Sequence, residues 1–262
     1  MPVTLDQILA STRLDLPELS RRRSALEHEA ARRPEPPSLR AALHGDRVRV
    51  VAEVKRRSPS AGVIREDLEP EERARLYARQ GAAAISVLTD GPHFGGSMAD
   101  LRAAAASVTV PVLRKDFILD ELQIVEARAA GAAAVLLIVR ALSAERLPAL
   151  LASARAQGLE ALVEVHTRAE LDRALAAGAD IVGVNSRDLD TFRIDMASAW
   201  ALLAAVPREL VAVAESGMHG PADVERAAAA GADAVLIGTA LSAASDPAGL
   251  LQALTRVPRH AR

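Results

Sequence analysis

Glu53, Lys55 and Ser58 fall within six positions of one another, and Pro59, Ser60 and Gly62 follow them. They end a β-branched run over residues 48–54 that has the composition of a buried parallel strand. Side chains two apart on a strand share a face, so Glu53 and Lys55 project together from one strand end, with Ser58 in a turn-rich loop beyond. A carboxylate and an ammonium so placed can exchange protons with a substrate or grip its charged groups. Alone, the pair reads more readily as a surface salt bridge. It is not alone, because chemically capable residues recur downstream at the ends of apolar runs: Lys115, Asp116 and Phe117; Glu164; Asn185 and Arg187; Glu215, Ser216 and Gly217; Gly238 and Thr239.

The elements that must position these residues repeat along the chain. ARQGAAAISVL, EARAAGAAAVLLI, RALAAGADIVGV and RAAAAGADAVLIG each join a helix end to Gly-Ala and an apolar run, with glycines at 81, 131, 178 and 231. Glycine after a helix is the expected left-handed terminator, and the run after it is the next strand. Four further strands are predicted at 48–54, 110–114, 161–165 and 210–214, one ahead of each of these glycines. Helix starts agree: Asp120 with Gln123 and Thr167 with Glu170 are spaced as capping boxes, Ser143 and Asp195 suit N-caps, and Pro221 suits a first turn. Pro148 falls inside the fourth helix and predicts a kink or a later start. Eight alternating strand–helix units predict an α/β fold, a (β/α)8 TIM barrel. No Gly-x-Gly-x-x-Gly follows the first strand, which argues against a dinucleotide fold.

Residues 1–47 differ from this repeat. Leu5, Ile8 and Leu9 predict a short amphipathic helix, 19–32 a second, and 39–43 a last helical piece after Pro34, Pro36 and Pro37. The segment is expected to be a helical extension packed on a catalytic barrel of residues 48–262. A net charge of −2 supplies no field to recruit nucleic acid or a membrane. The absence of cysteine excludes disulfides, thiolate metal sites and Cys nucleophiles. Without a signal-peptide pattern or an apolar run of membrane-spanning length, the expectation is a soluble, cytoplasmic protein.

Barrel active sites lie at the carboxyl ends of the strands, which is where the candidate residues fall. Glu215-Ser216-Gly217 and Ile237-Gly238-Thr239, after strands 7 and 8, occupy the usual barrel phosphate position, and residues 239–244 could form a short helix whose amides meet an anion. Aromatic residues make up only 2% of the chain, yet Phe94, Phe117 and Phe192 all fall in site-side loops, as packing or as a grip on a planar ligand. The six histidines show no metal-ligand spacing, and His166 reads as a solvated or supporting residue.

AEVKRRSPSAG (52–62), LRKDFILDELQI (113–124), LVEVHT (162–167), GVNSRDL (183–189), AESG (214–217) and LIGTAL (236–241) together resemble the indole-3-glycerol phosphate synthases of tryptophan biosynthesis over nearly the whole chain. Ala61 stands where that family commonly has lysine, and Ser186 where it commonly has a second asparagine. The resemblance implies a carboxy-lyase that closes an indole ring in 1-(2-carboxyphenylamino)-1-deoxyribulose 5-phosphate, with loss of carbon dioxide and water and with no metal or other cofactor. It implies catalytic roles for Lys115, Glu164, Lys55, Glu53, Asn185 and Glu215. Substrate and phosphate binding would fall to Ser58, Arg187, Ser216, Gly217, Leu236, Gly238, Thr239, Phe94 and Phe117. The partner would be a small phosphosugar–anthranilate substrate, with neither nucleic acid nor membrane involved. A monomer or weak homo-oligomer is expected, with association with other tryptophan-pathway enzymes left open. The residues by themselves also admit another phosphosugar barrel enzyme, a ketose isomerase or Schiff-base aldolase, or a non-catalytic phosphate-binding barrel.

Overall fold

A computed structural model describes residues 4–260. Eight parallel strands close into a barrel: β1 (Arg49–Val54), β2 (Ala84–Leu88), β3 (Val112–Lys115), β4 (Ala134–Ile138), β5 (Glu160–Val165), β6 (Ile181–Asn185), β7 (Val211–Glu215) and β8 (Ala234–Ile237). Each pairs with its chain neighbours, and β8 returns to β1 through Arg49–Ala234 to Ala52–Ile237. The predicted strands are all present, shifted at their ends by one or two residues. Every strand from β2 to β8 is preceded by a helix, and Gly81, Gly131, Gly178 and Gly231 all have positive φ where those helices end.

The capping predictions separate. Asp120 forms a full capping box with Gln123. Thr167 caps its helix by accepting from the Glu170 backbone, but the Glu170 side chain turns to the His166 backbone instead of closing the box. The fourth helix starts late, at Arg146, which places Pro148 third in the helix where no intrahelical donor is required of it. Ser143 Oγ accepts the Arg146 backbone N–H ahead of that start. Asp195 and Pro221 stand as N-cap and first residue of their helices.

Three helices precede the barrel: α1 (Leu5–Arg21), α2 (Arg23–Ala31) and α3 (Leu39–Ala42). The first is longer than predicted, because its apolar face continues from Leu5, Ile8 and Leu9 through Leu16 to Leu19, past Pro17. Leu19, Leu26 and Ala30 pack on Leu122, Val125 and Ala129 of the helix Glu121–Ala130. Leu5, Ile8, Leu9, Leu39 and Leu43 join the same apolar cluster as the barrel interior. The extension therefore contributes side chains to the core itself. No helix among the described residues is long and apolar enough to cross a membrane.

Candidate active site

Val51, Leu113, Leu136, Leu162, Ile181, Val213 and Leu236 belong to one apolar cluster that fills the barrel interior. A strand returns to the same face every second residue. Two residues further along, the same face carries Glu53, Lys115, Ile138, Glu164, Gly183, Glu215 and Gly238. The inward period of two thus changes from aliphatic to ionisable one layer below the mouth, and a single cavity opens there. Glu53, Lys55, Ser58, Phe94, Lys115, Phe117, Glu164, Asn185, Arg187, Glu215, Ser216, Gly217, Leu236, Gly238 and Thr239 all line it. Every expected site residue is therefore brought to one place.

The charges in that layer are nearly dry. Lys115 Nζ sits 3.3 Å from Glu215 Oε2 and 3.6 Å from Glu164 Oε2, and both carboxylate side chains are 1% exposed. Burial would lower the Lys115 pKa, but Glu215, Glu164 and Glu53 outweigh it and hold the ammonium above the ordinary lysine range. Two carboxylates share that one cation, so one of them gives way: burial, reinforced by Glu164, pushes Glu215 up to about 7 against the pull of Lys115. Across the mouth Lys55 Nζ lies 2.9 Å from Glu53 Oε1. Burial would raise the Glu53 pKa, yet Lys55 and Lys115 hold it below the usual range, and the carboxylate is charged. Glu164 Oε1 and Glu215 Oε1 are buried without a hydrogen-bond partner among the described residues. Glu164 Oε1 faces His166 Nε2 at 3.4 Å, an atom that likewise makes no hydrogen bond among the described residues, whereas Glu215 Oε1 is a buried acceptor left open toward a donor from the substrate.

Two glycines make room for these carboxylates. A Cβ on Gly183 would collide with Glu215 Oε1 and come within 3.2 Å of Glu215 Cδ and Leu162 Cδ1. A Cβ on Gly238 would collide with Glu53 Oε1 and lie 2.8 Å from its Cδ. The need for glycine at 238 thus comes first from Glu53, a constraint that the expectation of close anion approach did not contain. Gly217 and Ser216 both have left-handed backbone, φ 73° and 66°, and turn the chain sharply after β7. Gly238 then caps the short helix Thr239–Ala243.

The loops close over this layer. A hairpin absent from the prediction, Arg57–Ser58 against Gly62–Val63, fixes the loop after β1, and Ser58 Oγ accepts the Ala61 backbone N–H at 3.1 Å. Asn185 Oδ1 accepts the Arg187 backbone N–H, and Arg187 Nη1 donates to the Phe192 carbonyl at 3.2 Å. Ser186, where the family commonly has asparagine, donates through backbone N–H and Oγ to the Glu215 carbonyl, tying β6 to β7 beneath the site. The Phe94 and Phe117 rings meet at 6.2 Å between centroids, inclined by 40°.

Three residues were only partly legible in the sequence. Asp116 lines the cavity, but its carboxylate turns to Arg114 at 2.9 Å and to Thr89, because it points to the opposite face of β3 from Lys115. Gly183 carried no signal beyond being a glycine within a strand, which itself marks close approach by another group. Of the two readings of His166, solvated or supporting, the structure agrees with the second: its side chain is 4% exposed and lies between Glu164 and Glu170. Its even spacing from Glu164 was the available clue.

Comparison with known proteins adds a relation to this geometry. The family model described as indole-3-glycerol phosphate synthase matches residues 5–254. A protein of that name from Nocardioides sp. is 51% identical over 259 residues, covering 97% of this chain and 98% of its own length. One from Parafrankia sp. is 46% identical over 258 residues, 98% of this chain and 96% of its own length. Among solved structures, a 3-hexulose-6-phosphate synthase overlays 80% of this chain and 98% of its own with a TM-score of 0.63 at 18% identity, a likeness of fold.

Proposed function

The chain belongs to the indole-3-glycerol phosphate synthase family, and from that premise we propose how its barrel mouth carries out the reaction. The enzyme is a carboxy-lyase of tryptophan biosynthesis that closes the ring of 1-(2-carboxyphenylamino)-1-deoxyribulose 5-phosphate. That membership sets aside the isomerase, aldolase and binding-barrel alternatives. The assignment of individual roles is the proposal.

The single observation that carries it is Lys115, an ammonium held charged between two buried carboxylates at the barrel mouth. In the first step the aromatic carbon bearing the carboxylate attacks the ribulose carbonyl carbon. A carbon–carbon bond forms, and the carbonyl oxygen takes a proton from Lys115. The bond to the carboxylate then breaks, carbon dioxide leaves, and its electron pair restores the aromatic ring. Loss of the new hydroxyl as water needs an acid for the oxygen and a base for the remaining proton. We assign the latter to Glu164, a buried carboxylate beside Lys115, with the Glu53–Lys55 pair its competitor. Lys55 also grips the substrate carboxylate before it departs. Glu215, with a pKa near neutrality, can donate to a substrate hydroxyl or accept from the anilino nitrogen, and Asn185 stands beside it. Arg187, free of ion pairs among the described residues, balances the charge of Glu53. Ser58, Ser216, Gly217, Gly238 and Thr239 surround the phosphate, and Phe94, Phe117 and Leu236 contact the planar ring. These steps ask for no external electron sink, since the aromatic ring itself receives the electrons.

The substrate is a small phosphosugar carrying an anthranilate, and nothing in the reaction calls for nucleic acid or membrane. A charged phosphate ester does not cross a bilayer unaided, which supports work in the cytoplasm. The barrel mouth is complete within one chain, so a monomer or weak homo-oligomer suffices. The test is Lys115→Met, followed by indole absorbance and carbon dioxide release. We expect turnover to fall at least about 10²-fold with circular dichroism and product binding retained. Near-normal turnover would remove Lys115 from the acid role.

A further inference from the structure

His166 takes no part in the mechanism above, yet it is the most enclosed histidine at the site. It follows β5, two residues beyond Glu164, and its Nε2 lies 3.4 Å from Glu164 Oε1. Its Nδ1 lies 3.2 Å from Glu170 Oε2, in the helix Arg168–Ala176, and its backbone N–H donates to the same oxygen at 2.7 Å. A neutral imidazole has one donor and one acceptor nitrogen. Nε2 makes no hydrogen bond among the described residues, but both nitrogens face carboxylate oxygens, and only the imidazolium presents an N–H to each of them. We propose that His166 is a positioning residue for Glu164: its imidazolium, braced by Glu170, holds Glu164 Oε1 from the side opposite Lys115 and keeps the carboxylate oriented for proton transfer in the dehydration step. This inference rests on the role of Glu164 proposed above.

The charged groups around the imidazole agree. Glu164 faces it from β5 and Glu170 from the following helix. From the turn after β4, Arg140 lies beyond Glu170, at 3.2 Å from that carboxylate, and its charge opposes protonation. Asp188, from the loop after β6, offsets Arg140 at 3.0 Å. Lys115, from β3, stands beyond Glu164 at 3.6 Å. Burial would depress the histidine, but Glu170 and Glu164 outweigh it and raise its pKa. Glu164 is thereby held at one oxygen by Lys115 and faced at the other by His166. The carboxylate thus lies between two cations, one facing each oxygen.

Three variants test this, His166→Leu, His166→Gln and Glu164→Gln, with kcat and KM measured across pH and the His166 titration followed by NMR with labelled histidine. In the unaltered enzyme the His166 inflection should lie above the ordinary histidine value of about 6.5. It should fall by roughly one unit in Glu164→Gln, since an adjacent carboxylate raises a histidine pKa by about that much. His166→Leu should lose roughly tenfold or more in kcat, with KM changed less than about threefold. His166→Gln, which keeps a donor but cannot titrate, should recover part of kcat and lose any pH inflection that follows the NMR titration. A wild-type inflection at or below about 6.5 overturns the proposal. So does His166→Leu turning over within about twofold of wild type. If His166→Leu does not fold by circular dichroism, His166→Gln decides, and a wild-type pH profile with wild-type kcat overturns it. Wild-type turnover in Glu164→Gln would instead refute the role of Glu164 itself, and the two failures are distinct.

Discussion

Gly183→Ala tests how tightly the barrel mouth is built, because it adds one methyl group and no charge. Gly183 is paired in register with Glu164 on one side and Val213 on the other, and its open face is filled by the Glu215 carboxylate. The added Cβ would overlap Glu215 Oε1 and sit 3.2 Å from Glu215 Cδ and Leu162 Cδ1. The Gly183 backbone is not left-handed, so the strain is all side-chain contact. To restore ordinary contact, Glu215 must shift by about 1 Å, which disturbs the 3.3 Å contact that it makes with Lys115. A misplacement of about 1 Å at a reacting group costs on the order of 10² in rate, or about 2.7 kcal/mol of transition-state stabilisation. We expect kcat to fall by about that factor, with KM for substrate little changed because the phosphate loops after β7 and β8 are untouched. Crowding against Leu162 should cost about 1–3 kcal/mol of stability. The assay is steady-state indole formation, paired with a double-mutant cycle. In a Glu215→Ala background, where the space is empty, the same methyl should cost less than about threefold in rate. Turnover of Gly183→Ala within about threefold of wild type, or an equal cost in both backgrounds, would refute the argument that Gly183 exists to seat Glu215.

Other outcomes follow from the same geometry. Gly238→Val should displace Glu53 and break its 2.9 Å pair with Lys55, lowering turnover as well as affinity for inorganic phosphate; loss of phosphate affinity alone would show that Gly238 serves the anion only. Glu215 has a folded-state pKa raised from an ordinary carboxylate value to about 7, so the folded state binds its proton more tightly than the unfolded chain. Its contribution to stability is therefore present at low pH and lost as pH rises toward 7. Glu215→Gln should flatten the fall in Tm between about pH 5 and 8, and an unchanged slope in thermal melts would contradict this. Deleting residues 1–36 removes α1 and α2 with their buried Leu5, Ile8, Leu9 and Leu26, and should lower Tm while leaving a barrel helical by circular dichroism; an unchanged Tm would show that these helices only decorate the surface.

Much of the molecule is local enough to be read along the chain. Apolar runs that become strands, glycines ending helices and caps beginning them are determined by neighbours within a few residues, so the eight units and their order were legible. The placement of the ionisable residues was legible for the same reason: each ends an apolar run, and in a parallel barrel all run ends meet at one rim. What the chain could not state is which of those residues touch. Lys115 and Glu215 stand 100 residues apart and meet only because β3 and β7 face each other across a closed barrel. Asp116, adjacent to Lys115 in sequence, is not its partner, since the pleat sends it outward to Arg114. α1 outran its predicted end because packing on the helix after β3 rewards a longer apolar face than its first turn displays. Gly183 and His166 acquire meaning only beside side chains brought to them by other contacts or by the pleat. Periodicity is a local property of the chain, whereas burial, and with it the proton affinity of Lys115, Glu215 and His166, is set by every strand at once.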